Sequence, residues 1–312
     1  MKHLITWADY SETSIRRILE IAGDLKSLIK QGNRPTVLER QVIGLLFEKP
    51  SLRTRVSFEC LASQTGGASL FLGEDVGWGK REPIQDFIPI LTSYIDCLII
   101  RAKSHEAVIE ATKYSHCPII NGLTDFSHPC QALADILTIE ELFNSNENIK
   151  IAYVGDANNV AYSLALLAGK LGIRFSIAAP EGYEFPATAV EQIKKASSAD
   201  DLFEQVRKPQ EAADQAHVIY TDVWTSMGQE AESAQRLKDF TGYQVNRELF
   251  SLANPEAKFL HCLPARRGEE VSADVIDSDI SATVQQAENR LHAQKGLVVW
   301  MLTEAQHDEG DE

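Results

Sequence analysis

The sequence predicts an α/β protein: two doubly wound parallel-sheet domains with a C-terminal helix. Three observations predict it. The chain has 312 residues, about twice the usual length of one domain. Apolar runs of strand length alternate with helical patterns, the rhythm of a parallel sheet covered by helices. That rhythm stops at the polar stretch "NSNENIK", 144–150, and then restarts.

In order, "QVIGLLF" is a strand followed by a helical pattern over 53–65, and "ASLFLG", "YIDCLIIRA" and "CPIINGL" are further strands, the last followed by a helix over 128–142. After the polar break come "IAYVGDANN", a helix over 160–171, "RFSIAAP", "AHVIYTDVW" and "KFLHCLP". A long helical pattern over 282–303 closes the chain before the acidic tail "HDEGDE". We therefore expect domains at 1–146 and 147–312, the second carrying the C-terminal helix.

The balance of 44% hydrophobic and 24% charged residues supports a sizeable core, and no apolar run is long enough to cross a bilayer. A formal charge of -15 and a pI near 5.0 argue against broad binding to nucleic acid or an anionic membrane surface. Five cysteines without CxxC spacing suit a reducing compartment better than a disulfide framework or a zinc site, so we expect a cytoplasmic protein without a structural metal.

Against that acidic background, locally converging basic residues stand out. In "FEKPSLRTRVSFE", Ser51, Leu52, Arg53, Thr54 and Arg55 lie where a strand hands over to a helix. Hydroxyls, free backbone N–H groups and a guanidinium fork there form a receptor for phosphate or carboxylate; the plainer reading is a serine cap with a solvated basic turn. His128 and Gln131 open the helix after "PIINGL", either as donors to a carbonyl or as ordinary first-turn residues. Arg101 ends an apolar strand, where it is a ligand cation or an exposed strand end.

In the second half, "YVGDANNV" has one glycine where a dinucleotide fingerprint needs three, and Asp156 would repel a pyrophosphate. Asp156, Asn158 and Asn159 suit the polar end of an amino acid instead, or form an Asx-rich turn. Asp222 and Ser226 follow a buried strand, where the carboxylate could hold an amine. Cys262 ends another strand; a cysteine nucleophile paired with His261 is a weaker reading, because neighbouring strand residues face opposite ways.

Taken together, "FEKPSLRTRVSFE", "HPCQALADILT", "GDANNVAYS", "DVWTSMGQE", "HCLPA" and "QQAENRLHAQK" resemble, in order and spacing, the motifs of the ornithine carbamoyltransferases, over about residues 41 to 300. The resemblance implies a carbamoyl phosphate site made of Ser51, Leu52 (through its backbone), Arg53, Thr54, Arg101, His128, Gln131, Cys262, Leu263 and Arg290. It implies ornithine contacts at Asn159, Asp222, Ser226 and Met227, with Arg101, His128, Cys262 and Asp222 closest to the chemistry. It also implies no metal or organic cofactor, and a homotrimer or multiple of trimers in which a loop matching "EDVGWGKREPIQD" reaches the neighbouring site.

The sequence departs from the family pattern at that loop. Gly77 and then the bulky Trp78 stand where many members carry a glutamine, and "DFIPIL" puts Pro89 inside an expected helix, which it should kink or break. "PSLRTR" together with a nearby tryptophan is similar to the transcarbamylases of N-acylated ornithine, whereas "SMGQE" and the short chain are ornithine-type. Outside this class, a nicotinamide-dependent dehydrogenase lacks its glycine-rich turn, and a catalytically silent paralogue has no need of an intact anion cluster.

Overall fold

Five consecutive buried residues, Ile43 to Phe47, make Val42–Phe47 a strand covered on both faces, as the interior of a parallel sheet requires. The structure, a computed structural model, describes residues 1–79, 81–144, 148–199, 201–226 and 229–305. Its elements run α1 (Glu12–Lys30), β1 (Val42–Phe47), α2 (Leu52–Gln64), β2 (Ala68–Leu72), α3 (Ile84–Thr92), β3 (Cys97–Arg101), α4 (His105–Thr112), β4 (Ile119–Leu123) and α5 (Pro129–Phe143). They continue with β5 (Lys150–Val154), α6 (Asn159–Lys170), β6 (Arg174–Ala178), α7 (Ala187–Ala196), β7 (Phe203–Val206), α8 (Pro209–Ala213), β8 (Val218–Thr221), α9 (Ser233–Asp239), α10 (Arg247–Phe250), β9 (Lys258–His261), α11 (Ala273–Ile276) and α12 (Thr283–Thr303).

The chain divides into two compact units, Met1–Leu137 with Asn289–Glu312, and Thr138–Glu288. In the first, four parallel strands lie in the order β2-β1-β3-β4. In the second, five parallel strands lie in the order β7-β6-β5-β8-β9. Each order reverses direction once, between β1 and β3 and between β5 and β8. At such a reversal the loops leaving adjacent strands diverge, and the crevice beyond their carboxyl ends is open to a ligand.

The expected two-domain parallel architecture and C-terminal helix are therefore present, with two differences of detail. The expected limits of 1–146 and 147–312 place all of α12 with the second half, whereas residues from Asn289 on belong to the first unit. Periodicity marks a helix but not the core it packs on, and here the partners are long-range. Asn289 accepts from Lys26 at 2.6 Å, Lys295 donates to Gln64 at 2.5 Å, and Glu304 pairs with Arg17 at 2.8 Å. The other difference is α3, which runs through Pro89 to Thr92 rather than breaking. Ile88 and Leu91 are buried in an apolar cluster with Leu98 and Ile100, and that packing outweighs the one backbone bond proline forgoes.

α1 lies against the C-terminal half of α12, and Gly296 makes the approach possible. A Cβ there would meet the carbonyl oxygen of Ile18 at 2.4 Å and the Cβ of Ala22 at 2.7 Å. We expect Gly296→Ala to cost about 1–3 kcal/mol through overpacking, read as a lower urea midpoint at unchanged m-value. An unchanged midpoint would show that the helices separate freely at this point.

Candidate active site

In the first unit the side chains gather at the β1/β3 reversal. Ser51 caps α2 with extended backbone (φ -155°), its hydroxyl accepting from the Thr54 N–H at 3.4 Å, so the following backbone N–H groups open the helix. The Leu52 side chain is 76% exposed, which leaves its backbone as the part available to a ligand in this turn. Thr54 is buried and its Oγ1 accepts from Arg290 Nη2 at 3.1 Å. Arg55, the second arginine of the turn, takes no part: it pairs with Glu59 at 2.9 Å and lies 3.8 Å from the Phe71 ring centroid.

Arg101 closes β3, opposite Phe47 of β1 in register. It is 5% exposed, and its Nε has no hydrogen-bond partner among the described residues. Burial, then the charges of Arg290 and Arg53, push its guanidinium down to about 10. The same surroundings hold the His128 imidazole well below its ordinary range, burial first and then Arg290, Arg101 and Arg53. His128 is thus a neutral imidazole, able to donate one hydrogen bond. Gln131, expected to face the carbamoyl end, is engaged within the protein: its Oε1 accepts from Arg290 Nη1 at 2.6 Å and its Nε2 donates to Asp135 at 2.8 Å. Its effect in this structure is to orient Arg290.

In the second unit the residues collect at the β5/β8 reversal. Gly155 has φ +144°, a conformation other residues rarely adopt, and begins the turn into α6. Asn158 caps that helix, accepting from Val160 and Ala161, while its Nδ2 donates to Asp222 Oδ2 at 2.9 Å. Asp222 Oδ1 accepts from the Val223 N–H at 2.8 Å and from the Cys262 thiol at 3.0 Å. A buried carboxylate held on three sides is a fixed negative charge suited to an amine.

Asp156 differs from expectation. It is paired with Arg236 at 2.7 Å, and the same Nη1 donates to the Trp224 carbonyl at 2.9 Å. It therefore ties the chain after β8 to the chain after β5 and does not present a free carboxylate to an amino acid. Asn159 is the first residue of α6, and the Ser226 N–H donates to Gln229 Oε1 at 3.0 Å. Met227 lies outside the described residues.

Cys262 and Leu263 follow β9, Leu263 with φ +57°. The ligating atoms of Asp222, His261 and Cys262 lie within 4.8 Å of one another. Both ring nitrogens of His261 are engaged, Nδ1 with the Leu263 N–H at 2.8 Å and Nε2 with Glu270 at 3.2 Å. The imidazole therefore fixes the turn that carries Cys262, and the thiol is directed at Asp222. That geometry works against the cysteine–histidine nucleophile.

Sequence reasoning passed over three residues that hold this machinery, Glu48, Asn158 as a partner of Asp222, and Arg236. Asn158 alone left a local trace, as an Asx residue at a helix start. Glu48 and Arg236 act across 55 and 80 residues of chain, a separation that leaves no local signature.

Two parallel-sheet units, one with a cationic cluster at its reversal and the other with a fixed carboxylate, define a protein for an anionic and an amine-bearing ligand. Residues 2–141 match the carbamoyl-P binding domain of aspartate/ornithine carbamoyltransferase, and residues 147–301 match its Asp/Orn binding domain. The chain belongs to the aspartate/ornithine carbamoyltransferase family. It is 46% identical over 303 residues to the ornithine carbamoyltransferase of Anoxybacillus flavithermus, covering 96% of each chain. It is 47% identical to that of Bacillus subtilis, covering 96% of this chain and 94% of the relative. The solved ornithine carbamoyltransferase of Pyrococcus furiosus superposes with a TM-score of 0.93 at 44% identity, covering 97% of both.

With His128 held neutral, its proton is refused by the folded chain and taken by the unfolded one. Between its folded pKa and 6.5 the unfolded state binds more protons, so this contribution to stability is present above 6.5 and lost as pH falls. We expect the His128 ring resonances to stay in the neutral form as the pH falls through 6.5 in an NMR titration of the native protein. A midpoint near 6.5 would mean that neither burial nor the surrounding arginines act on it.

Proposed function

We propose that this enzyme transfers the carbamoyl group of carbamoyl phosphate to the δ-amine of L-ornithine, giving L-citrulline and phosphate, a step of arginine biosynthesis. The observation that carries the reading is Arg101, a buried guanidinium whose Nε has no partner among the described residues, beside two further arginines. A cation in that setting needs an anion. Its relatives bear the same name, one of them as the anabolic enzyme of Pyrococcus furiosus.

In this reading the Ser51 hydroxyl, the Leu52 backbone N–H, Arg53 and Thr54 take the phosphate. Arg101, His128 and Thr54 meet the carbonyl oxygen as it gathers negative charge, while Gln131 acts through Arg290. Asp222 and Cys262 orient the δ-amine, Asn159, Ser226 and Met227 hold the amino-acid end, and Leu263 completes the carbamoyl site through its backbone. The amine nitrogen forms a bond to the carbamoyl carbon, and the bond from that carbon to the phosphate oxygen breaks. The leaving phosphate keeps the electron pair and takes up the proton that the nitrogen gives up. A neutral histidine serves this sequence better than a charged one, since it donates to the oxyanion without adding to the repulsion among the arginines.

The tryptophan that is similar to the N-acylornithine enzymes is buried here and hydrogen-bonded to Glu48, which favours free ornithine. We place the protein in the cytoplasm as a homotrimer or multiple of trimers. Exposed Leu52 and Val56 on α2 support that assembly, which light scattering tests as a mass of three times 34.6 kDa, a monomer contradicting it.

The deciding assay compares ornithine, N-acetylornithine, N-succinylornithine and putrescine as acceptors from carbamoyl phosphate. We expect ornithine to exceed each of the others by at least about a hundredfold in kcat/KM, since a site built around an amino acid's polar groups rejects analogues that leave them unpaired. Preference for an acylated acceptor would reassign the substrate.

A further inference from the structure

Glu48 is the first residue past β1 and stands three before Ser51. Its backbone N–H donates to the Arg101 carbonyl at 2.9 Å, and its Oε2 accepts from the Lys103 N–H at 2.6 Å. One residue thus holds the chain at the Arg101 carbonyl and again two residues further on, across the β1/β3 reversal. Its other oxygen, Oε1, accepts from the indole Nε1 of Trp78 at 3.1 Å.

Trp78 is 6% exposed and lies in the apolar cluster with Leu46, Ile88 and Ile100, with Phe87 edge-on at 6.2 Å. Gly77 makes the insertion possible. It has φ +70°, and a Cβ there would meet the Cβ of Arg81 at 2.9 Å, so a side chain at 77 would oppose the turn that sends the indole inward. A cavity of about 160 Å³ lies against Glu48 and Trp78, bounded by Gly73, Glu74 and Lys103. The indole is therefore not wedged from every side, and its hydrogen bond to Glu48 fixes its orientation.

We propose that Glu48 and Trp78 form a strut that sets the position of Arg101 and of the Ser51–Thr54 turn, making both of them positioning residues for carbamoyl phosphate within a single chain. The inference rests on the carbamoyl phosphate reading of that cluster. A carboxylate is needed because it accepts in two directions at once. An amide at 48 offers one oxygen and one NH2, so either the Trp78 or the Lys103 N–H would face another donor. The departure at 77–78 then has a physical meaning: a glycine that allows the turn and a tryptophan long enough to reach the acid that braces the anion site.

The test compares the full-length parent with Trp78→Phe, which keeps the ring and drops the N–H, with Glu48→Gln, and with the double variant. KM for carbamoyl phosphate and the inhibition constant of inorganic phosphate should each rise about tenfold in either single variant and hardly further in the double. The KM for ornithine should stay within about twofold, while kcat falls to the extent that Arg101 also meets the oxyanion. Indole emission should also respond to phosphate in the parent and lose that response in Trp78→Phe. Unchanged carbamoyl phosphate and phosphate constants in Trp78→Phe would overturn the strut even if Glu48→Gln fails to fold, as would a fall in melting temperature and kcat without the KM split. A parent enzyme in which phosphate does not compete with carbamoyl phosphate overturns the site reading itself, and the strut with it.

Discussion

The mutual repulsion of the buried Arg101 and Arg290 and the half-buried Arg53 in the first unit is the constraint around which the rest of the site is arranged. Like charges out of water are costly, and the structure meets the cost in two ways. Arg290 is spread over neutral oxygens, the Thr54 hydroxyl and the Gln131 amide, with Asp135 one bond further on. Arg101 is left with its Nε unpartnered among the described residues, and burial with its two neighbours lowers its hold on its proton. Burial, and then the same arginines, keep His128 neutral. A pocket in this state is preorganised for a dianion, since the donors are in place before the ligand arrives.

The second unit solves the opposite problem. Asp222 is a buried negative charge, and its neighbours hold it in position with hydrogen bonds from Asn158, the Val223 N–H and Cys262, without a cation among those three. A cationic partner is supplied instead to Asp156, which Arg236 neutralises. Two carboxylates close in sequence to one reversal are thereby given different tasks, one tying loops together and one kept as an acceptor for an amine.

Much of this was legible in the sequence, because strands of a parallel sheet are apolar throughout and their carboxyl ends collect the polar residues that bind. Eight of the strands and the helices after "QVIGLLF", "PIINGL" and "VGDANN" follow from that pattern. β7, "FEQV", did not, since it is an edge strand with one buried residue and no continuous apolar run. The ascription of α12 to one core was out of reach for a related reason, as Lys26–Asn289 and Lys295–Gln64 join residues more than two hundred apart. Ser51, Arg53, Arg101 and His128 could be picked out by type and place. That Gln131 serves Arg290, that Arg55 stands aside, and that Glu48 braces Arg101 are facts of tertiary geometry that residue type does not carry.

The central claim is that the arginine corner is under electrostatic strain until an anion fills it. The most direct measurement is the melting temperature of the parent and of Arg101→Met across a series of phosphate concentrations at constant ionic strength; methionine keeps much of the apolar stem while removing the charge. The account predicts that Arg101→Met melts higher than the parent without phosphate and no longer responds to it, while the parent climbs with phosphate and overtakes. An Arg101→Met protein that melts lower than the parent without phosphate, yet still gains stability from phosphate as the parent does, would contradict it.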